Sequence, residues 1–246
     1  MTDTTPRKNA IITGASAGLG RALAIALVTD GWRLTVDARH PEPLAQLGRD
    51  LADLGPIEVI AGDVSDPDHR RRLVTAATAN GPIDLLVNNA SDLGGSPPPR
   101  LRDLTADTAQ RLFSVNVIAP QQLIRTAEPS FAEGAVIINV SSDAAVEHYE
   151  GWGGYAATKA ALDHLTLTWA GEAPQHTWYA VDPGDLRTAM HQAAFPGEDI
   201  SDRPEPETVV PTMLQLIGSG LSSGRYRVAD LTERWAPRTP ILTGRR

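Results

Sequence analysis

A phenol and an ammonium stand four residues apart in Tyr155-Ala-Ala-Thr-Lys159. On a helix that spacing stacks both groups on one face. An unperturbed tyrosine, with a pKa of about 10, is a poor proton donor or acceptor at neutral pH. A neighbouring cation favours the phenolate and lowers that value, which makes the ring a usable general acid and base. Moving it from about 10 to near 7 takes about 4 kcal/mol of differential stabilisation, and a close ammonium with little competing water could supply a large part of that. The chain keeps two lysines, Lys8 and Lys159, against twenty arginines. A lysine retained against that trend suggests a site that needs a compact, buriable ammonium. An ordinary helix with one exposed lysine would carry the same letters, so the pair gains meaning only from its company.

The first companion is Thr13-Gly14-Ala15-Ser16-Ala17-Gly18-Leu19-Gly20, set between a strand-like and a helix-like segment. Glycines there let the backbone turn sharply and approach a pyrophosphate, which the N-terminus of the following helix would hold. The spacing is GxxxGxG, not the GxGxxG of most dinucleotide folds. The same residues spell Gly14-x-Ser16-x-Gly18, the strand-to-helix elbow of a serine hydrolase, with His148, His164, His176 and His191 downstream as candidate bases. That elbow belongs to a mid-sheet strand, whereas this turn follows the first one. The hydrolase reading also leaves Tyr155 and Lys159 without a task.

The elements that must position these groups alternate along the chain. Segments 9–13, 32–37, 57–61, 83–87, 135–140, 178–181 and 226–228 read as strands. Helical patterns cover 19–29, 41–54, 105–131 with a bend near Pro120, 154–170 and 207–217. A further helix opens at Asp66-Pro67, with an N-cap and a proline at its first position. This rhythm predicts the α/β class, with a parallel sheet covered on both faces. No internal repeat or linker divides the chain, so it reads as a single domain over residues 1–246. Two segments fit no regular element. Residues 91–100 contain Gly94-Gly95 and Pro97-Pro98-Pro99, and residues 187–206 are rich in Pro, Asp and Glu. Both follow C-terminal strand ends, where open α/β sheets bind ligands, and 187–206 reads as a substrate lid. Residues 1–7 and 236–246 read as flexible termini.

Bulk properties narrow the partners. A formal charge of -8 argues against nucleic acid and anionic membranes, which favour basic patches. No run of about 18 apolar residues is present, so no membrane span is expected. The absence of cysteine removes disulfides and thiolate metal sites and fits a cytoplasmic protein. Asp63, Asp66 and Asp68 could suggest a metal, but Asp66 reads as a cap and no histidine pair has ligand spacing, so no metal is expected.

With more motifs in view, the chain resembles the classical short-chain dehydrogenases/reductases from Lys8 to about Asp230. TGASAGLG matches that family's TGxxxGxG loop, and Gly62-Asp63-Val64 falls where an acidic or amide side chain holds the adenine. Leu85-Leu86-Val87-Asn88-Asn89-Ala90 looks like its NNAG element, with Ser91 in place of the glycine. Asn116 matches the helix asparagine linked to a proton-relay water. Ser142 lies thirteen residues before Tyr155, the family spacing for the catalytic pair. Asp182-Pro183-Gly184 resembles the PG element beside the nicotinamide, with Asp182 replacing the usual Asn.

The resemblance implies a Rossmann-type sheet of about seven strands in the order 3-2-1-4-5-6-7. It also implies an oxidoreductase that moves hydride between a nicotinamide cofactor and a small-molecule carbonyl or alcohol. By similarity Ser142 bonds the reacting oxygen, Tyr155 exchanges its proton, Lys159 holds the ribose and lowers the Tyr155 pKa, and Asn116 positions a water. Cofactor contacts are implied for Gly14, Ser16, Gly18, Leu19 and Gly20 in the loop, and for Asp63, Val64 and Asn89 beside it. Gly184, Leu186, Thr188, Tyr155 and Lys159 complete that set. His148, Tyr149, Trp152 and Met190, with His191 and Phe195, fall in the family's substrate-lining stretches. The family's main dimer interface corresponds to 105–131 and 154–170, where Leu162, Leu165 and Trp169 offer apolar surface, so a homotetramer or homodimer is expected. A nucleotide-sensing regulator on the same fold is the non-catalytic rival, and it needs none of the four proton-transfer residues.

Cofactor choice turns on the end of the second strand. NAD-type members place an acid there; here Ala38 holds that position and Arg39 follows, which favours NADP(H) while leaving NAD(H) possible. Asp37 complicates this reading. Strand alternation puts Asp37 and Arg39 on one side, where a salt bridge between them would weaken Arg39's hold on a phosphate.

Overall fold

The computed structural model describes residues 7–79 and 81–236. In chain order the elements are β1 (Asn9–Ile12), α1 (Gly18–Thr29), β2 (Arg33–Ala38), α2 (Pro41–Leu51), β3 (Ile57–Ala61), α3 (Pro67–Thr78) and β4 (Ile83–Asn88). There follow α4 (Ala106–Phe113), a π-helical turn (Ser114–Ile118), α5 (Ala119–Ala127), β5 (Phe131–Val140), α6 (Gly153–Glu172) and β6 (Thr177–Asp182). The chain closes with α7 (Ala189–Ala194), α8 (Val210–Ile217), β7 (Gly224–Arg227) and α9 (Val228–Trp235). The seven strands form one sheet in the order β3-β2-β1-β4-β5-β6-β7, and every pair is parallel.

Strand alternation sorts the core into two layers. Ala10, Ile12, Leu85, Val87 and Ile138 face α1, α2, α8 and α9, while Ile11, Leu86 and Ile137 face α3, α5 and the end of α6. Both faces of the central strands are therefore dry, which is why they read as continuous apolar runs. Asp66 caps α3 as its position implies, accepting from the Asp68 N–H at 2.9 Å ahead of Pro67.

Three elements differ from the sequence reading. The helical pattern over 105–131 is broken, with Phe131 already inside β5 and the irregularity at Ser114–Ile118 rather than at Pro120 itself. Pro120 has no N–H to offer the carbonyl four residues back, on Asn116. The helix widens just ahead of it, with the Ala119 N–H reaching five residues back to Ser114. The lid segment contains α7. Val228 opens α9, an element the sequence reading did not anticipate, instead of ending β7. The flexible-termini reading falls almost wholly outside the described residues. Among the described residues no helix is long and apolar enough to cross a membrane, and no cluster of three metal-ligating side chains occurs.

Candidate active site

The C-terminal ends of β1, β2, β4, β5 and β6 open onto a cavity of about 690 Å³. At one end the β1–α1 turn forms a cradle that only glycine can make. Gly14 has φ +68°, and a Cβ there would lie 2.9 Å from the Ala90 Cα. Gly18 has φ +52°, and its Cβ would press on Thr188 Cγ2 at 3.2 Å. No side chain caps α1, so the first N–H groups of that helix remain open toward the cavity. Open amides at a helix start form an anion site, and the groove beside them has room for a dinucleotide. Ser16, Gly18, Leu19, Leu186 and Thr188 line it, together with Gly184 and Val64.

Two residues assigned to the cofactor take other places. Gly20 does not line the cavity; a Cβ there would meet the Gly14 O and the Asn89 Nδ2 at 2.5 Å, so it is needed for close packing of the turn against β4. Asn89 does line the cavity and also holds that turn, donating to the Thr13 O at 2.9 Å and the Gly14 O at 3.2 Å. Asp63 also falls outside the cavity wall, which its neighbours Gly62 and Val64 form, and its carboxylate accepts from the Ser65 N–H at 2.7 Å.

The salt bridge that would have tied Asp37 to Arg39 is not formed. Asp37 is fully buried; one oxygen accepts the Gly14 N–H at 2.8 Å and the other meets His69 Nε2 at 2.8 Å. Arg39 is half-exposed at the cavity edge, 3.9 Å from Asp92, a carboxylate that Arg111 approaches at 3.3 Å.

At the other end Ser142, Tyr155 and Lys159 converge. Tyr155 and Lys159 share one face of α6, with the ammonium 5.5 Å from the phenol ring centre. Lys159 is 2% exposed, and its Nζ donates to the Val140 O at 2.8 Å. Burial pushes its pKa down to about 8, against the opposing charge of Asp163. Burial raises the Tyr155 pKa above its usual value. Hydrogen bonds with Ser91 and Ser142 pull it back, and the charges of Asp143 and Asp182 push it up. The expectation that Lys159 dominates the phenol and lowers its pKa is thus reversed here. The ammonium is directed at the Val140 carbonyl, and desolvation is the largest influence on the phenol.

Ser142 donates to Asp143 Oδ1 at 2.9 Å and accepts from the Ala144 N–H at 3.2 Å. Asp143 also accepts from Tyr149 at 2.8 Å, which pushes the Tyr149 pKa up to about 12. Asn116 lies deeper, and its side chain is fully engaged. Its Oδ1 accepts from Ser91 at 3.2 Å and the Asp92 N–H at 2.8 Å, while its Nδ2 donates to the Asp92 O at 2.9 Å and Thr158 at 3.0 Å. A water at Asn116 would therefore have to use the main-chain carbonyl, the one denied an α-helical partner by Pro120.

Around Tyr155 the wall is apolar and aromatic. Trp152 meets the Tyr155 ring edge-on at 5.6 Å and Phe195 at 5.8 Å, with Leu93 and Met190 beside them. Of the four substrate-contact candidates, Tyr149, Trp152 and Met190 line the cavity. His148 does not; it is exposed, because the turn before α6 directs it to solvent. The lid is tied down, with Ser96 donating to the Ala193 O of α7 at 2.7 Å and the Arg187 N–H to the Pro204 O at 2.8 Å.

Sequence reasoning missed Arg225. From β7 it donates to the Ser142 O at 2.9 Å, to Asp163 at 2.9 Å and to Asp182 at 3.2 Å, so it ties β5, α6 and β6 together beneath the site. The departure of Asp182 from Asn was the one available signal, since a buried carboxylate calls for a cation.

A family model described as short chain dehydrogenase matches residues 8–199. L-xylulose reductase from Bos taurus is 32% identical over 234 residues, covering 88% of this chain and 92% of that protein. Carbonyl reductase [NADPH] 2 from Sus scrofa is 31% identical, covering 80% of this chain and 76% of that one. The solved structure of an alcohol dehydrogenase from Thermococcus sibiricus complexed with 5-hydroxy-NADP superposes with a TM-score of 0.81 at 23% identity, covering 90% of this chain and 95% of that one.

Proposed function

The chain belongs to the short-chain dehydrogenase family, and on that premise we propose that it moves hydride between NADP(H) and the carbonyl or secondary alcohol of a small, uncharged molecule, with Tyr155 as acid and base. It is an oxidoreductase of that family, whose cofactors are NAD(P). The observation that carries the finer reading is the buried Tyr155 phenol, which lines with Ser142 and Lys159 one end of a cavity whose other end is an open helix N-terminus.

The bound nicotinamide supplies or accepts the hydride. The protein's residues handle the proton and the substrate. Burial keeps the phenol protonated, which suits it to give a proton to a carbonyl oxygen during reduction. Ser142 already has its oxygen fixed by the Ala144 N–H, and its proton need only rotate from Asp143 to the substrate oxygen. Lys159, anchored to the Val140 O, presents its remaining protons toward the cavity for the ribose hydroxyls. Asn116 fixes the loop after β4 through Asp92, and its main-chain carbonyl is the place for a relay water.

The wall of Leu93, Trp152, Met190 and Phe195, rimmed by the carboxylates Asp143, Glu150 and Asp185, favours an apolar, neutral substrate over a keto acid. Arg39 supports NADP over NAD because its guanidinium stands at the cavity edge while Asp37 is engaged elsewhere. The hydrolase reading loses support, since among the described residues no histidine is hydrogen-bonded to Ser16. The test is a panel of neutral, acidic and basic carbonyls scored by nicotinamide absorbance with wild type and Tyr155→Phe. Turnover of neutral members that falls at least a hundredfold in the variant is expected. Fluorophosphonate modification of Ser16, or a variant keeping more than about a tenth of the rate, would overturn it.

A further inference from the structure

Two guanidiniums share one carboxylate oxygen beside the cavity. Asp92 Oδ2 lies 3.3 Å from Arg111 Nε and 3.9 Å from Arg39 Nη1. The rest of Asp92 is fixed in place. Its N–H donates to Asn116 Oδ1 at 2.8 Å, its main-chain O accepts from Asn116 Nδ2 at 2.9 Å, and its Oδ1 accepts from the Gly94 N–H at 2.7 Å. Arg39 lines the cavity, whereas Asp92 and Arg111 do not. We infer that Asp92 and Arg111 set how strongly Arg39 selects NADP over NAD, with Asp92 restraining the Arg39 guanidinium and Arg111 relieving that restraint. The inference rests on Arg39 reading the 2′ position of the cofactor.

The contest is one of charge. The Asp92 side chain is 14% exposed and held by Gly94, so its Oδ2 stays where it is, while both arginines are half-exposed and long enough to move. A 2′-phosphate seated on Arg39 must draw the guanidinium off Asp92, and it brings a second anion toward a carboxylate that does not retreat. Both costs fall on NADP alone, because the 2′-hydroxyl of NAD carries no charge. Arg111 offsets them. It makes the closer contact to the same oxygen, and its Nη2 is anchored on the Gly94 O at 3.0 Å, so it neutralises part of the charge that Arg39 would otherwise feel. Since Arg111 does not reach the cavity, its influence on the cofactor passes through Asp92. Pairs this exposed shift an equilibrium by about 1.4- to 5-fold, which is enough to tune a preference without creating it.

The test is the dissociation constants of NADPH and NADH, read from nicotinamide fluorescence with no substrate present. The proteins are wild type, Asp92→Asn, Arg111→Gln, the double variant and Arg39→Ala. Asparagine keeps the Oδ1 that Gly94 bonds and removes only the charge. Asp92→Asn should tighten NADPH about threefold and leave NADH unchanged, while Arg111→Gln should weaken NADPH about threefold. In the double variant the effect of Arg111→Gln should vanish, because the carboxylate through which it acts is gone. Mere loosening of the loop after β4 would instead weaken both cofactors in both single variants. NADPH binding unchanged or weakened in Asp92→Asn, or an Arg111→Gln effect of full size in the double variant, would overturn the inference while leaving Arg39's role intact. Equal losses of NADPH and NADH in Arg39→Ala would remove the premise itself.

Discussion

Replacing Lys159 with methionine should abolish turnover and yet make the protein more stable at neutral pH. The ammonium is 2% exposed, and its pKa falls from 10.5 to about 8 on burial, a difference of about 3 kcal/mol. The sign follows from proton counting. Below pH 8 both folded and unfolded chains hold this proton, so the folded state carries the full penalty. Between pH 8 and 10.5 the unfolded chain holds it and the folded chain does not, so wild-type stability gains from this group as pH rises. Methionine fills a similar volume without the charge. It leaves the Val140 carbonyl without its donor, a loss of about 1–2 kcal/mol. The net expectation at pH 7 is a gain of about 1–2 kcal/mol, which shrinks by about 2 kcal/mol on going to pH 10. Asp163, the nearby carboxylate, has its pKa raised by burial and pulled back by the charges of Arg225 and Lys159. Urea unfolding midpoints of the two proteins at pH 7 and pH 10 measure the difference directly. A gap that stays constant across that range would refute the reasoning, whatever its size. Cofactor titration of the same variant should show weaker binding, because the ammonium also lines the cavity proposed to hold the cofactor.

Arg39→Ala should raise the Michaelis constant for NADPH about tenfold and barely change that for NADH; equal losses would show that Arg39 does not read the 2′ position. Asp37→Ala should behave oppositely, weakening both cofactors together and lowering stability by about 3 kcal/mol in denaturant titration, because the Gly14 N–H and His69 lose a shared buried partner. Arg225→Met should lower kcat more than cofactor affinity in steady-state kinetics, since it frees the Ser142 main chain and leaves Asp182 buried without its closest cation. Light scattering at micromolar concentration should give the mass of a dimer or tetramer, with Phe113, Ile118 and Leu167, all exposed in the single chain, as the covered surface.

The sheet was legible because its strands are dry on both faces. Such segments appear as short apolar runs between turn residues whatever their partners. That Tyr155 and Lys159 share a face was legible for a related reason, since spacing along one helix is fixed by backbone geometry, and the family resemblance brought Ser142 to the same cavity. What escaped depended on partners distant in sequence. The oligomer surface assigned to Leu162 and Trp169 is one case. Leu162 is 2% exposed and Trp169 stacks on Trp178 at 5.3 Å, so both are committed within the chain, and Leu167 is the exposed large apolar side chain on that helix. The break in 105–131 is another, because a π turn is a choice among carbonyls that the apolar pattern does not encode. α9 is amphipathic but only eight residues long, below the length at which periodicity is persuasive.

Asp37 shows why a motif position needs its neighbours before it can be read. An acid near the end of the second strand is the usual sign of a cofactor lacking the 2′-phosphate, since it would accept from the ribose hydroxyl and repel the phosphate. Here that carboxylate is consumed from both sides. Gly14 supplies the N–H of the tightest part of the turn, and His69 arrives from α3, where Gly62 leaves the space for it: a Cβ on Gly62 would lie 2.2 Å from His69 Nδ1. Glycine at 62, histidine at 69 and aspartate at 37 therefore form one unit that braces the β1–α1 turn. Its acid reaches the cavity wall with each oxygen already committed to a partner of its own. Arg39 is then the charged group left at that end of the cavity, opposed by Asp92 at 3.9 Å, a distance and exposure at which an ion pair is weak. A phosphate offering charge-assisted, two-pronged acceptance outcompetes so loose a partner. That competition, more than the presence of an arginine, is what supports NADP over NAD.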